Sequence, residues 1–219
     1  QVIDFIIFIG SRFFGRAKGS FNGGKDRKLR VSFFHYFNNM KAKISFNYGN
    51  FPHRVISTET TKFCIVEMGA RHLGDISHLA KIAQPHIGVV LTVGKAHVGE
   101  FGSREIIAKA KSELITSLTA GGTAILGTYD EFTPNMVVPS GVERILFGEK
   151  SKCEVRAADV EVREGRAHFD LVTPDGRAAV GLQLLGMHQI SNALAAAAAA
   201  TALKIPIETI SAALSTAEV

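Results

Sequence analysis

From Lys62 onward the chain alternates short apolar runs with helical stripes. Lys62 to Glu67 is rich in β-formers and stops at Met68-Gly69, the pattern of a strand buried on both faces. Leu73, Ile76, Leu79, Ala80 and Ala83 recur at helical spacing, and Pro85 ends that stretch, so residues 73–83 are expected to form a helix. His86 to Val93 reads as a second strand. Ser103 is an N-cap for a helix running to about Leu118, with Ile107, Ala110, Leu114 and Leu118 on its inner face and Gly121-Gly122 closing it. Thr123 to Leu126 and Arg144 to Phe147 read as further strands. This β-α-β-α-β succession implies right-handed crossovers, and hence an α/β fold with an open, mostly parallel sheet and flanking helices.

Beyond Cys153 the period changes to polar-apolar alternation, broken at Glu164-Gly165 and again at Pro174-Asp175-Gly176, which predicts antiparallel hairpins at one sheet edge. A helix over about Ser191 to Leu203 is nearly all alanine, so it can lie close to another backbone. Glu208 to Leu214 begins one more. Residues 1–57 behave differently: ten of the fifteen phenylalanines fall there, with no clean 3.6 or 2.0 period running through them.

Charge sharpens that division. Residues 1–57 hold 10 of the 25 Lys and Arg but 2 of the 20 Asp and Glu, a net +8, and the remaining 162 residues carry −3. A basic, Phe-rich segment suits phosphate contact and base stacking, yet no RNA-binding motif or zinc knuckle accompanies it, which ranks nucleic acid last among the candidate partners. Two cysteines, Cys64 and Cys153, make neither a disulfide framework nor a four-cysteine zinc site, and no apolar run reaches the roughly 20 residues of a membrane span. A soluble, cytoplasmic protein is the expectation.

Ligands of an open parallel sheet bind beyond the carboxyl ends of its strands, so the residues after each strand deserve scrutiny. Glu67 ends the first strand, and His97 lies four residues past Val93. On neighbouring strand tips a carboxylate and an imidazole can share a divalent cation, with phosphate oxygens and water completing the shell as magnesium prefers. A surface ion pair for Glu67 and a helix cap for His97 account for the same residues. Lys109 and Lys111, two residues apart on the next helix, point about 200° away from one another, so they cannot both face the site. On an ordinary amphipathic helix both are solvated.

Four runs together carry a resemblance. Glu67-Met-Gly-Ala-Arg-His-Leu-Gly-Asp-Ile76, Gly94-Lys-Ala-His-Val-Gly-Glu-Phe-Gly-Ser103, Ala108-Lys-Ala-Lys-Ser-Glu113 and Gly186-Met-His-Gln-Ile-Ser-Asn-Ala-Leu-Ala195 resemble successive motifs of the Mur ligase central domain, a P-loop NTPase-like fold, over residues 58–219. The first two runs are most similar to the branch that adds D-alanyl-D-alanine to a UDP-N-acetylmuramoyl-tripeptide in peptidoglycan synthesis. The resemblance implies ATP and Mg2+ as cofactors, those two molecules as substrates, and an acyl phosphate intermediate. It further implies that Glu67 and His97 bind magnesium, that Lys111 rather than Lys109 is the lysine carbamylated in several members, and that His188, Gln189 and Asn192 belong to the nucleotide side. Gln189 stands where the family usually has asparagine.

The largest departure precedes residue 58. The family opens this domain with a strand and a loop of the type Thr-Gly-x-x-Gly-Lys-Thr, whose amides cradle phosphate. Here the run from Phe8 to Ala17 keeps two glycines five apart but has Arg16-Ala17 in place of Lys-Thr, and Gly23-Gly24-Lys25 is followed by Asp26. Residues 1–57 are therefore read as an aberrant substitute for the ATP-binding start, of the kind a frameshift produces. The family's UDP-substrate and C-terminal domains do not fit in 219 residues, so the chain reads as a fragment of the enzyme, or as its non-catalytic remnant.

Overall fold

In the computed structural model the described residues are 4–9, 42–47, 63–70, 72–94 and 102–217, with backbone alone for 4–9, 42–47, 63 and 64. Among the described residues nine strands form one sheet: β1 (Asp4–Ile9), β2 (Ala42–Asn47), β3 (Phe63–Met68), β4 (Ile87–Val90), β5 (Thr123–Gly127), β6 (Glu143–Gly148), β7 (Val155–Arg163), β8 (Arg166–Thr173) and β9 (Gly176–Leu185). Their spatial order is β2-β3-β1-β4-β5-β6-β7-β8-β9. Neighbours from β2 through β7 run parallel, and β7, β8 and β9 are antiparallel. The α/β class, the mostly parallel sheet and the antiparallel edge are those expected from the sequence.

Two strands come from the segment that lacked periodicity. Asp4–Ile9 is a continuous apolar run after its aspartate and pairs in parallel with β3 and β4, and a uniform run shows no alternation for a period to mark. Its position corrects one expectation. Glu67 does not lie on a strand next to β4, because β1 sits between them: Glu67 is level with Phe8, and Phe8 with Val89. The two strand tips are two inter-strand spacings apart, about 10 Å.

Alternation along the central strands sorts side chains into two layers. Ile65, Val89, Ile125 and Ile145 pack with α3 (His188–Ala202) and α4 (Ile207–Thr216). Val66, Met68, Val90, Ala124, Leu126 and Leu146 pack on the other face with Ile76 of α1 (Asp75–Ala83) and Ile107, Leu114 and Ile115 of α2 (Arg104–Thr116). Ser103 caps α2 as expected, accepting a hydrogen bond from the Ile106 amide. Helix α1 has Gly74 at its N-cap; there the Glu113 carboxylate of α2 accepts from the Gly74 and Ser77 amides at 2.7 and 3.0 Å.

The alanines of α3 are buried from Ala193 to Ala200, since small side chains let the helix lie against β4, β5, β6 and β7 without leaving voids. That helix starts three residues earlier than the sequence suggested. The polar run His188-Gln-Ile-Ser-Asn192 conceals its first turn, and Ser191 donates to the His188 carbonyl instead of capping. At the far edge, Ser211 and Ser215 of α4 reach β9: Ser211 Oγ donates to the Ala179 carbonyl, and Ser215 Oγ accepts from the Gly181 amide at 3.2 Å. Among the described residues no helix is long and apolar enough to cross a membrane.

Candidate active site

The carboxyl end of β4 is the best-anchored polar region of the sheet. As the chain leaves the strand, the Leu91 carbonyl passes so close to Gly127 of β5 that a side chain there would overlap its oxygen. Lys111 Nζ, coming up from α2, donates to the Thr92 carbonyl at 2.5 Å. Thr92 Oγ1 and the Val93 amide donate to Asp130 Oδ2 at 2.9 and 2.7 Å, and Arg104 donates to the Val93 carbonyl at 3.0 Å. Both backbone groups of Val93, and both the carbonyl and the hydroxyl of Thr92, are thus held by charged side chains from two other elements.

Asp130 lies three residues past β5 and receives five hydrogen bonds in all. Phe132 and Thr133 give their amides to Oδ1, and the Thr133 hydroxyl donates to Oδ2. Burial pushes this carboxyl up, but the bonds from Thr133, Val93 and Thr92 outweigh it and leave the group below the usual carboxylate range. Arg104 is fixed in turn by Glu131, at 2.6 Å, and stacks over the Phe132 ring.

Lys111 and Lys109 separate as their geometry requires: Lys111 is 7% exposed, whereas Lys109 is exposed to solvent. Burial pulls the Lys111 ammonium down to about 8, against the Asp130 carboxylate, which raises it. A lysine in this state supplies a useful fraction of free amine near neutral pH. Glu67 is partly buried at the end of β3; it alternates with Val66 and Met68, whose side chains enter the α1-α2 layer, and so it leaves the sheet on the α3 side. Lys111 and Glu67 approach the carboxyl edge from opposite layers.

The first turn of α3 holds the three nucleotide-side candidates. His188 is exposed, and its Nε2 lies 3.2 Å from Gln189 Nε2. Gln189 Oε1 accepts from Asn192 Nδ2 at 3.0 Å, and Asn192, 1% exposed, buries its Oδ1 with no hydrogen-bond partner among the described residues. A buried orphan acceptor is costly unless a ligand or water supplies a donor.

His97, the glycine-containing run at 10–17 and Gly23 to Asp26 lie outside the described residues. No group of three or more His, Cys, Asp or Glu side chains gathers among the described residues. Of the expected metal ligands described, Glu67 offers the oxygen donor that magnesium prefers, while Lys111 offers oxygen only once carbamylated. Sequence reading missed Asp130, Thr92 and Arg104. The rule of inspecting residues beyond each strand would have reached Asp130 had it been applied to β5.

An open parallel α/β sheet with helices in both layers, and with its concentrated charged groups at the carboxyl ends, is the architecture of a nucleotide-binding domain. The family model described as the Mur ligase middle domain matches residues 38–200, and the chain belongs to that family. The chain is 41% identical over 162 residues to the UDP-N-acetylmuramoyl-tripeptide--D-alanyl-D-alanine ligase of Mycobacterium bovis, a match covering 74% of this chain and 32% of that protein. It spans about a third of that relative's length. Among solved structures, MurF from Acinetobacter baumannii superposes with a TM-score of 0.78 at 29% identity, covering 99% of this chain and 46% of that one. MurF ligase from Thermotoga maritima, solved in complex with ADP, shares the fold with a TM-score of 0.74 at 22% identity, covering 99% of this chain and 48% of that one.

Proposed function

We propose that the chain is the ATP-using central domain of a cytoplasmic ligase that joins D-alanyl-D-alanine to a UDP-N-acetylmuramoyl-tripeptide. The observation that carries this reading is Lys111: buried, hydrogen-bonded to the strand exit and depressed to about 8, it is prepared to react with carbon dioxide as the family's carbamylated lysine does. In the reaction, the terminal phosphoryl group of ATP passes to the tripeptide carboxylate, the dipeptide amine attacks the acyl phosphate, and phosphate leaves. Glu67 and His97, with carbamylated Lys111, would hold magnesium, which when bound neutralises the crowded phosphate oxygens. Asn192 Oδ1 would accept a hydrogen bond from the adenine amino group, and Gln189 orients the Asn192 amide by accepting a hydrogen bond from its Nδ2.

In this reading residues 58–219 carry the central domain proper. Residues 1–57 supply β1 and β2 but replace the phosphate loop with an aberrant one, whose Arg16 keeps a positive charge and whose Ala17 offers no hydroxyl. Calorimetric titration of the chain with magnesium-ADP tests the proposal. Binding that weakens in Asn192→Ala and in Glu67→Ala supports it. Absence of nucleotide binding, together with salt-sensitive binding to single-stranded nucleic acid indifferent to ATP, would replace it with a nucleic-acid role for the basic segment.

A further inference from the structure

Five donors converge on Asp130, and two of them, Thr92 Oγ1 and the Val93 amide, belong to the peptide whose carbonyl receives Lys111 Nζ. Three of the five, from Phe132 and Thr133, anchor the carboxylate to its own turn, so it is a fixed post and not a swinging partner. Opposite it, Arg104 holds the Val93 carbonyl and is itself braced by Glu131. Gly127 lets the Leu91 carbonyl pass at backbone contact, which places the exit of β4 directly over the end of β5.

We infer that Asp130 is a positioning residue, which fixes the Thr92 peptide and through it the place and orientation of the Lys111 amine. The inference rests on the reading of Lys111 as a working residue of the ligase site, and it adds a residue from the β5 exit that acts on Lys111 through the Thr92 peptide. Thr92 is the link: its hydroxyl is tied to Asp130 and its carbonyl to Lys111, so a loosened hydroxyl turns the carbonyl away from the amine.

The test is nuclear magnetic resonance of the lysine ammonium groups of the whole chain at mildly acidic pH. The Lys111 cross-peak is assigned by its loss in Lys111→Arg, and the backbone amides of β5 and α3 are followed alongside. In Asp130→Asn the Lys111 ammonium protons should exchange with water about tenfold faster, as expected for loss of a charge-assisted hydrogen bond, while the β5 and α3 amides stay in place. Thr92→Val, which removes only the linking hydroxyl and leaves the charge of Asp130, should accelerate the same exchange by a smaller factor. An unchanged Lys111 signal in both variants would overturn the inference. So would amide shifts spread through β5 and α3, since Asp130 would then be holding the fold and not the amine. Magnesium-ADP is added last: if the wild-type chain takes none, the ATP reading fails, whereas the ammonium comparison has already decided the role of Asp130.

Discussion

Lys111 ties stability to pH with a definite sign. Its folded value of about 8 lies below the 10.5 of a free lysine, so between these limits the unfolded chain holds a proton that the folded chain does not. Stability therefore rises with pH across that window, and the full shift corresponds to about 3 kcal/mol. Burial pushes the Tyr129 phenol up, and above about pH 10 this acts in the opposite sense, because the unfolded phenol ionises first. Denaturant unfolding of the wild type from pH 7 to 10 should show the midpoint climb, and Lys111→Met should flatten the climb. The choice of Lys111 over Lys109 came from the family resemblance, and its place beside Ala110, near the Ile107-Leu114-Leu118 stripe, agrees with its burial. Asp130 was not legible: an acid in a turn has no period, and its value comes from β4, 37 residues away in sequence from its Val93 contact.

At the scale of elements, two contacts substitute for ordinary chain signals. Helix α1 has a glycine N-cap without a side-chain cap, and Glu113 of α2 takes its place by accepting from the Gly74 and Ser77 amides. Glu113→Ala should cost about 1–2 kcal/mol, the upper part of the range for a lost cap, because it also removes a negative charge from a helix N-terminus. Chemical denaturation measures this, and Ser103→Ala, whose capping bond is a long 3.4 Å, should cost less, about 0.5 kcal/mol. Gly127→Ala forces a methyl group onto the Leu91 carbonyl, and we expect a loss of about 2–3 kcal/mol, which thermal melts will report. The hairpins and the central helices were legible since turn residues and apolar stripes mark them locally. β1 was not, for its apolar run is uniform, and its insertion between β3 and β4 is a fact of topology that no local pattern encodes.

For the whole molecule, the loop read from residues 10–17 sets the activity expected of this stretch of chain. The chain spans about a third of its Mycobacterium bovis relative, and in the proposed reading Arg16-Ala17 takes the place of the family's lysine and hydroxyl. Positioning and electrostatic stabilisation supply most of the rate in phosphoryl transfer, so we expect weak magnesium-ATP binding and no D-alanyl-D-alanine ligation above background from the 219-residue chain. A coupled ATP-consumption assay with both substrates checks this; turnover that requires both and vanishes in Glu67→Ala would show the chain to be sufficient. The serines of α4 have a consequence of another kind. β9 ends the sheet, and an uncovered outer strand is a template on which a second molecule can add a strand of its own. Ser211 and Ser215 occupy the Ala179 carbonyl and the Gly181 amide, so α4 works as a guard against self-association. Deleting it should make light scattering grow more steeply with concentration than it does for the intact chain, even where the hairpin beneath remains folded.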